Sequence, residues 1–371
     1  MPRTRLVDVA DRAGVSVATA SLVLRDRPGP SAAARRSVHQ AAEELGYRVD
    51  RAASLLALRQ SNLVGVALDI RSAFHAEMAV ALDEAAAQAG LELILTTITP
   101  SRSARAAVAT LVDHRCAGIV LLGISLSQAA MAAISVTLPA IAVGRAGRGA
   151  IIGVRAEDSQ GLAAAVDHLV GLGHRRIGHI CGPRGAIATA RRKGFVAALD
   201  QHHLPSLVLT GGDTEEAGMV AADELLPHLG RTVHPSAGPR SGPSDPVTAV
   251  IAFNDRVAVG VREGLARHGI RVPQDLSLVG YDDSALARLA TEDLTSVSQD
   301  PPALAAACID ELRRALNPAN TTGEPRDDPD GAADGSAGRT ATPRSTHDVV
   351  LAPHLVIRSS TQAPADSFRI D

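Results

Sequence analysis

Apolar positions in the first 46 residues recur at the three-to-four-residue spacing of amphipathic helices. Leu6, Val9, Ala10 and Ala13 share one face of a helix predicted over residues 6–13. Gly14 can take the left-handed conformation that stops it, and Ser16 can cap a second helix running to Leu24. A third helix begins at the cap candidate Ser31, sets Val38, Ala41 or Ala42, and Leu45 on one face, and ends at Gly46. The head is thus predicted as three short helices, the first two joined by a tight turn.

Residues 50–59, DRAASLLALR, form an alanine- and leucine-rich stretch opened by the cap candidate Asp50. A helix this short is marginal in water by itself, so its order is expected to depend on a partner. From Leu63 the pattern changes. Short apolar runs (LVGVALDI, LELILTT, GIVLLG, AIAV, IGHICG, AVIAF, LSLVGY) alternate with alanine-rich segments of helical period. Such alternation predicts parallel βαβ units in an α/β, doubly wound core of two similar lobes. Two stretches break the pattern: 231–246, rich in Pro, Ser and Gly, and 317–347, rich in Asp, Gly, Thr and Pro. Neither has enough large apolar side chains to bury, so both are expected to be disordered insertions. The domain reading is therefore a helical head over 1–49, a linker over 50–61, and a core over 62–371.

Charge sharpens this division. Residues 1–60 hold ten Lys/Arg and six Asp/Glu, a balance of +4, against a net charge of −3 for the whole chain. A basic head on an acidic body suits an arm that meets phosphate. No run reaches the ~18 apolar residues of a membrane span, and MPRTRLVDVADRAG has no apolar segment of the signal-peptide kind, so a cytoplasmic location is expected. Cys116, Cys181 and Cys308 are far apart and His75, His174 and His179 lack ligand spacing, which gives no sign of a disulfide framework or a metal site. No cofactor is indicated.

The string LVDVADRAGVSVATASLVL (6–24), followed by AAEELGYR (41–48) and a linker helix containing Leu56, resembles the LacI family of bacterial transcription regulators. The core strings are GHRRIGHICGP (173–183), RRKGFVAAL (191–199), VIAFNDRVAVG (250–260), HGIRVPQDLSLVGYDD (268–283), LTSVSQ (294–299) and LAPHLVIRSST (351–361). The resemblance implies a core built like a periplasmic sugar-binding protein. It also implies a homodimer that reads an inverted-repeat operator in double-stranded DNA, usually as a repressor, with DNA affinity set by a small-molecule effector.

By position in such a head, Val17, Ala18, Ser21 and Leu22 face base edges, Ser16 and Thr19 suit phosphates, and Leu6 and Arg25 complete the candidate DNA contacts. Family members usually carry Arg where this chain has Leu22, so the bidentate contact to guanine is missing and the recognised sequence does not carry over. The plainer alternative is an ordinary three-helix bundle in which Val17 and Leu22 are simply half-buried. In the linker, Leu56, with Ala53 beside it, occupies the place of the family's minor-groove wedge. The alternative there is a connector whose leucines pack on the core.

Ligands of doubly wound sheets bind beyond the carboxyl ends of the strands. The places to inspect are Asp69 to His75, Asn254 with Asp255, and Tyr281 to Asp283. By resemblance Asn254, Asp282 and Arg191 would hydrogen-bond effector hydroxyls and Phe74 would lie against the ligand, pointing to a small polar effector such as a sugar. Set against this, Asn254 and Asp255 could merely cap a helix, Asp282 and Asp283 a turn, and the run Arg191, Arg192, Lys193 could be solvated surface. A ligand-independent regulator with a vestigial pocket would look the same. A transport solute-binding protein predicts no helix-turn-helix. An enzyme on a nucleotide-binding sheet needs a glycine loop that LVGVALDIRSAFHAE does not offer.

Overall fold

The computed structural model describes residues 4–24, 27–47, 61–124, 130–131, 133–134, 138–229, 246–317 and 348–364. These fall into two compact units that divide between Ser61 and Asn62. In the head, α1 (Leu6–Ala13), α2 (Val17–Leu24) and α3 (Ala32–Glu44) enclose Val9, Ala10, Ala20, Val23, Val38, Ala41 and Ala42. The turn works as its residues dictate. Gly14 closes α1 at φ +66°, a conformation that costs a glycine little, and the Ser16 hydroxyl accepts from the Thr19 N–H at 3.1 Å. Ser31 caps α3 in the same way through Ala34 N.

The core unit contains two six-stranded sheets. The first is built from β1 (Leu63–Leu68), β2 (Glu92–Thr97), β3 (Gly118–Leu122), β4 (Ala140–Val143), β5 (Ile152–Ala156) and β11 (Val349–Leu351), in the order β11-β5-β4-β3-β1-β2. The second comprises β6 (Ile177–Ile180), β7 (Ser206–Leu209), β8 (Ala249–Ala252), β9 (Ser277–Asp282), β10 (Thr295–Ser298) and β12 (His354–Val356), in the order β12-β10-β9-β8-β6-β7. Every pairing is parallel except β10 with β12. The central strands are buried along their whole length, as a sheet covered on both faces requires.

Helices cover the faces. In the first lobe these are α4 (Ala73–Gln88) and α5 (Ala104–Asp113); in the second, α6 (Asp158–Gly171), α7 (Ala186–Gln201), α8 (Glu215–Leu225) and α9 (Asp255–Arg267). The chain changes lobe three times. From β5 it enters α6, which packs on α7, β10 and β12. From β10 it returns into α10 (Pro301–Leu316), which packs on α4, β4 and β5. Finally, β11 in the first sheet is followed by β12 in the second.

All seven expected strands are present; β5, β7, β10, β11 and β12 were not anticipated. The insertions expected at 231–246 and 317–347 lie outside the described residues except Pro246 and Asn317. Among the described residues no helix is long and apolar enough to cross a membrane.

Two buried histidines tie segments of the second lobe together. In His174, Nε2–H donates to the Gln362 carbonyl at 2.9 Å and Nδ1 accepts from the Thr248 hydroxyl at 2.8 Å. His179 donates from Nδ1 to the Ile251 carbonyl at 2.9 Å. Burial pushes both rings down to about 4. An unfolded imidazole titrates near 6.5, so their stabilisation is complete above that pH and is lost as pH falls toward 4. Each should forfeit about 2 kcal/mol by pH 5. Buried Asp255 and Asp282, whose carboxyls are raised by burial, act in the opposite sense. The separate contributions are therefore read by proton NMR: both rings should titrate below pH 5, and a midpoint above 6 for either would contradict its burial as a neutral donor.

Candidate functional site

Between the lobes lies a cavity of about 420 Å³, within the usual range for small-molecule sites. It opens where strand ends and helix N-termini meet. Phe74 and His75 come from the first turn of α4, Ala186 to Ala188 from that of α7, and Asn254 and Arg256 from the start of α9. Asp158 and Gln299 stand at two of the chain's crossings between lobes.

The centre is Arg191 on α7, only 4% exposed. Its Nε donates to Asp158 Oδ1 at 3.0 Å and Nη1 donates to the Phe253 carbonyl at 2.5 Å, while Nη2 lies 3.6 Å from Asp282 Oδ1. The guanidinium carbon stands 3.6 Å from the Tyr281 ring centroid and 4.8 Å from that of Phe253, within cation–π range. The Tyr281 hydroxyl donates to Asp158 at 2.9 Å and Gln299 Nε2 to Asp282 at 2.7 Å. Burial raises the Asp282 carboxyl against the lowering effect of Arg191. Surface solvation, weighed above as the alternative for Arg191, is thus corrected: only Arg192 and Lys193 of that run are exposed. The reason is helical geometry, since a residue whose α7 face also carries Gly194, Phe195 and Ala188 is turned inward.

Phe74, Arg191, Asn254 and Asp282 all line the cavity. Asn254 also caps α9 by accepting from Val257 N at 2.9 Å, while its Nδ2 donates to the Asp213 carbonyl at 3.4 Å. The neighbouring acids have other tasks. Asp255 is buried, accepting from the Ser284 N–H and hydroxyl and from the Ser296 hydroxyl; Asp283 pairs with Arg358 at 2.6 Å. Sequence reading missed Asp158, Gln299 and Phe253. The first two follow strands β5 and β10, and the rule that ligands sit past strand ends would have found them had those strands been anticipated.

Across the rim, Glu77 of α4 in the first lobe accepts from Arg288 Nη2 at 2.8 Å and from the Ala285 N–H. One carboxylate thus joins the lobes beside the cavity.

In the head, Val17 (45% exposed), Ala18 and Leu22 (41% exposed) face outward on α2, and Ser21 is half-buried beside them. Ser16 and Thr19 sit at the helix N-terminus, their hydroxyls 2.9 Å apart and the Thr19 N–H donated to Ser16 Oγ. Leu6 packs partly against the head's core. Arg25, Ala53 and Leu56 lie outside the described residues.

Residues 5–50 match the bacterial regulatory proteins of the lacI family, and residues 166–336 match the periplasmic binding protein-like domain. The HTH-type transcriptional regulator GalR of Salmonella typhimurium (strain LT2) is 31% identical over 368 residues, covering 97% of this chain and 96% of the relative. A crystal structure of the Lac repressor bound to ONPG in the repressed state superposes with a TM-score of 0.76 at 25% identity, covering 97% of this chain and 100% of that one. A complex of the transcriptional regulator CelR with cellobiose gives 0.63 at 25% identity, over 96% and 100%. With this identity over nearly its whole length, and with a matching DNA-binding segment and core, the chain belongs to the lacI family of bacterial regulatory proteins.

Proposed function

We propose that this protein is a non-catalytic, cytoplasmic repressor whose homodimer holds an inverted-repeat operator until a small hydroxylated effector enters the cavity between the lobes. The observation that carries the reading is the Arg191 cluster. A guanidinium held rigidly by Asp158 and the Phe253 carbonyl, with Asp282, Gln299 and Asn254 around it, presents both donors and acceptors to neighbouring hydroxyls. The bound sugars of the CelR and Lac repressor structures suggest the ligand class. Asp158 and Gln299 stand at the crossings, so a ligand gripping them and Phe74 touches both lobes and favours one lobe angle. Effector and operator then oppose each other reciprocally, typically by about 1–3 kcal/mol. Leu56, with Ala53, serves as the minor-groove wedge at the operator's centre, and Arg25 and Leu6 support the docked head.

The test is selection of bound sequences from a randomised duplex pool at near-physiological salt, followed by release of the best duplex with candidate sugars. An inverted repeat with a flexible central step is expected. Binding without any enriched motif, vanishing as salt rises, would defeat the reading. The same selection examines the recognition helix. Leu22→Arg should introduce a guanine preference at one position of each half-site, worth about 1–3 kcal/mol, because an Arg fork can pair with guanine O6 and N7 where leucine offers only apolar contact. An unchanged logo would mean that Leu22 does not face the bases.

A further inference from the structure

The cavity's charges are unevenly paired. At one end Arg71 is held by Asp69 at 2.6 Å and Arg256 forms a forked pair with Glu215, with Asp213 close by. In the centre Arg191 has two carboxylates. Elsewhere on the wall the pairing is different. Among the described residues Arg145, just past β4, donates from Nη1 to the Ile124 carbonyl at 2.6 Å, and its Nε is buried without a partner. Among the described residues neither Arg145 nor Arg184 has a carboxylate within ion-pair distance. Burial, and after it the repulsion of another cation, Arg148, pull the Arg145 guanidinium below its usual value.

The first turn of α7 belongs to the same cavity. Ala186, Ile187 and Ala188 line the cavity, and Gly185 before them supplies no side-chain cap. The two features adjoin, since a Cβ on Gly144 would lie 3.8 Å from Ile187 Cδ1. Two guanidiniums without counter-charges beside a bare helix N-terminus form an environment for a fixed negative charge. A guanidinium at a cavity wall with no carboxylate partner offers charge-assisted hydrogen bonds that a ligand anion would accept.

We propose that the effector is anionic: a hydroxylated body at Arg191 carrying a phosphate or carboxylate that Arg145 and Arg184 receive beside the α7 N-terminus. This rests on the reading of the cavity as an effector site, and it adds a charge requirement that a neutral sugar does not meet.

The full chain is titrated with inorganic phosphate, glucose 6-phosphate, gluconate and glucose, following thermal shift and calorimetry. Phosphate should raise the melting temperature, and one or both of the charged hexose derivatives should bind more tightly than glucose. Arg145→Gln should weaken the charged ligand roughly 10- to 100-fold, the loss of one or two charge-assisted hydrogen bonds, with glucose changed less than about 3-fold. Arg145→Lys should retain part of the effect, and Arg184→Gln, at an exposed position, tests the site without touching buried structure. The phosphate and carboxylate arms identify the head group. Glucose binding as tightly as both charged derivatives would overturn the proposal, as would a phosphate effect indifferent to Arg145 or no response to any of the anions. Each of these leaves the regulator reading intact, because operator binding is measured separately on the same protein; loss of sequence-selective DNA binding would instead defeat the regulator reading alone.

Discussion

Replacing Arg191 with methionine is expected to abolish the effector response and to lower stability by about 3–5 kcal/mol, the usual range when one partner is removed from a buried ion pair. The side chain's volume is roughly kept, but Asp158 and Asp282 lose their counter-charge and the Phe253 carbonyl loses a donor. The Tyr281 ring also loses the cation stacked on it. Part of the loss is recoverable by acid. Without the guanidinium, burial drives the Asp282 carboxyl further upward, so the folded state binds a proton more readily than the unfolded one. A group raised in this way contributes stability at low pH that disappears as pH rises through its folded value. Urea unfolding should therefore show the variant's deficit widening from pH 5 to pH 8. Arg191→Lys should restore some stability but little ligand response, because an ammonium cannot reach both carboxylates and the carbonyl in one plane. Wild-type stability together with wild-type effector release in Arg191→Met would remove Arg191 from the centre of the site.

This cluster also shows what the chain reveals in advance. The head was legible almost to the residue, because Gly14, Ser16 and Ser31 punctuate it and its apolar spacing is regular. The central strands were legible because covered parallel strands are short continuous apolar runs. Strand β10 carries no such run: Thr295 and Ser296 are buried polar residues satisfied by Ser360 and Asp255, bonds that span 65 and 41 residues. The site followed suit. Asp282 and Asn254 stood at recognisable strand ends, whereas Gln299 follows the polar strand TSVS and Asp158 follows IGVRA, a short run interrupted by Gly153 and Arg155. Arg191 was singled out only through family likeness. Its burial depends on α7 pressing it between Tyr281 and Phe253, which no local pattern records.

Gly260→Ala should cost about 3 kcal/mol, the upper part of the range for overpacking. It should also weaken the effector, although residue 260 does not line the cavity. A Cβ at Gly260 would stand 1.9 Å from the Glu215 carbonyl oxygen, and one at Gly218 would stand 2.3 Å from that of Val257. These are backbone atoms, so no side-chain rotation relieves the clash, and α8 and α9 must separate. A glycine inside a helix is itself unfavourable by roughly 0.5–1 kcal/mol relative to alanine. Gly218, Gly260 and Gly264 along one seam are offset by the close helix approach they permit. That approach sets the cavity wall: the caps of the two helices, Thr214 and Asn254, both line it, and Arg256 is forked to Glu215 across the same seam. Parting the helices by the ångström or so that a methyl demands moves Asn254 away from the ligand that Arg191 holds. Gly171→Ala is the comparison, for there a Cβ meets nothing within 4 Å and the backbone is helical. That variant should gain up to ~1 kcal/mol and leave effector affinity unchanged. If Gly260→Ala unfolds at the wild-type urea midpoint, the helices are not in the close contact the seam implies; if it is destabilised with full effector affinity, the cavity wall is set by something other than the α8–α9 crossing.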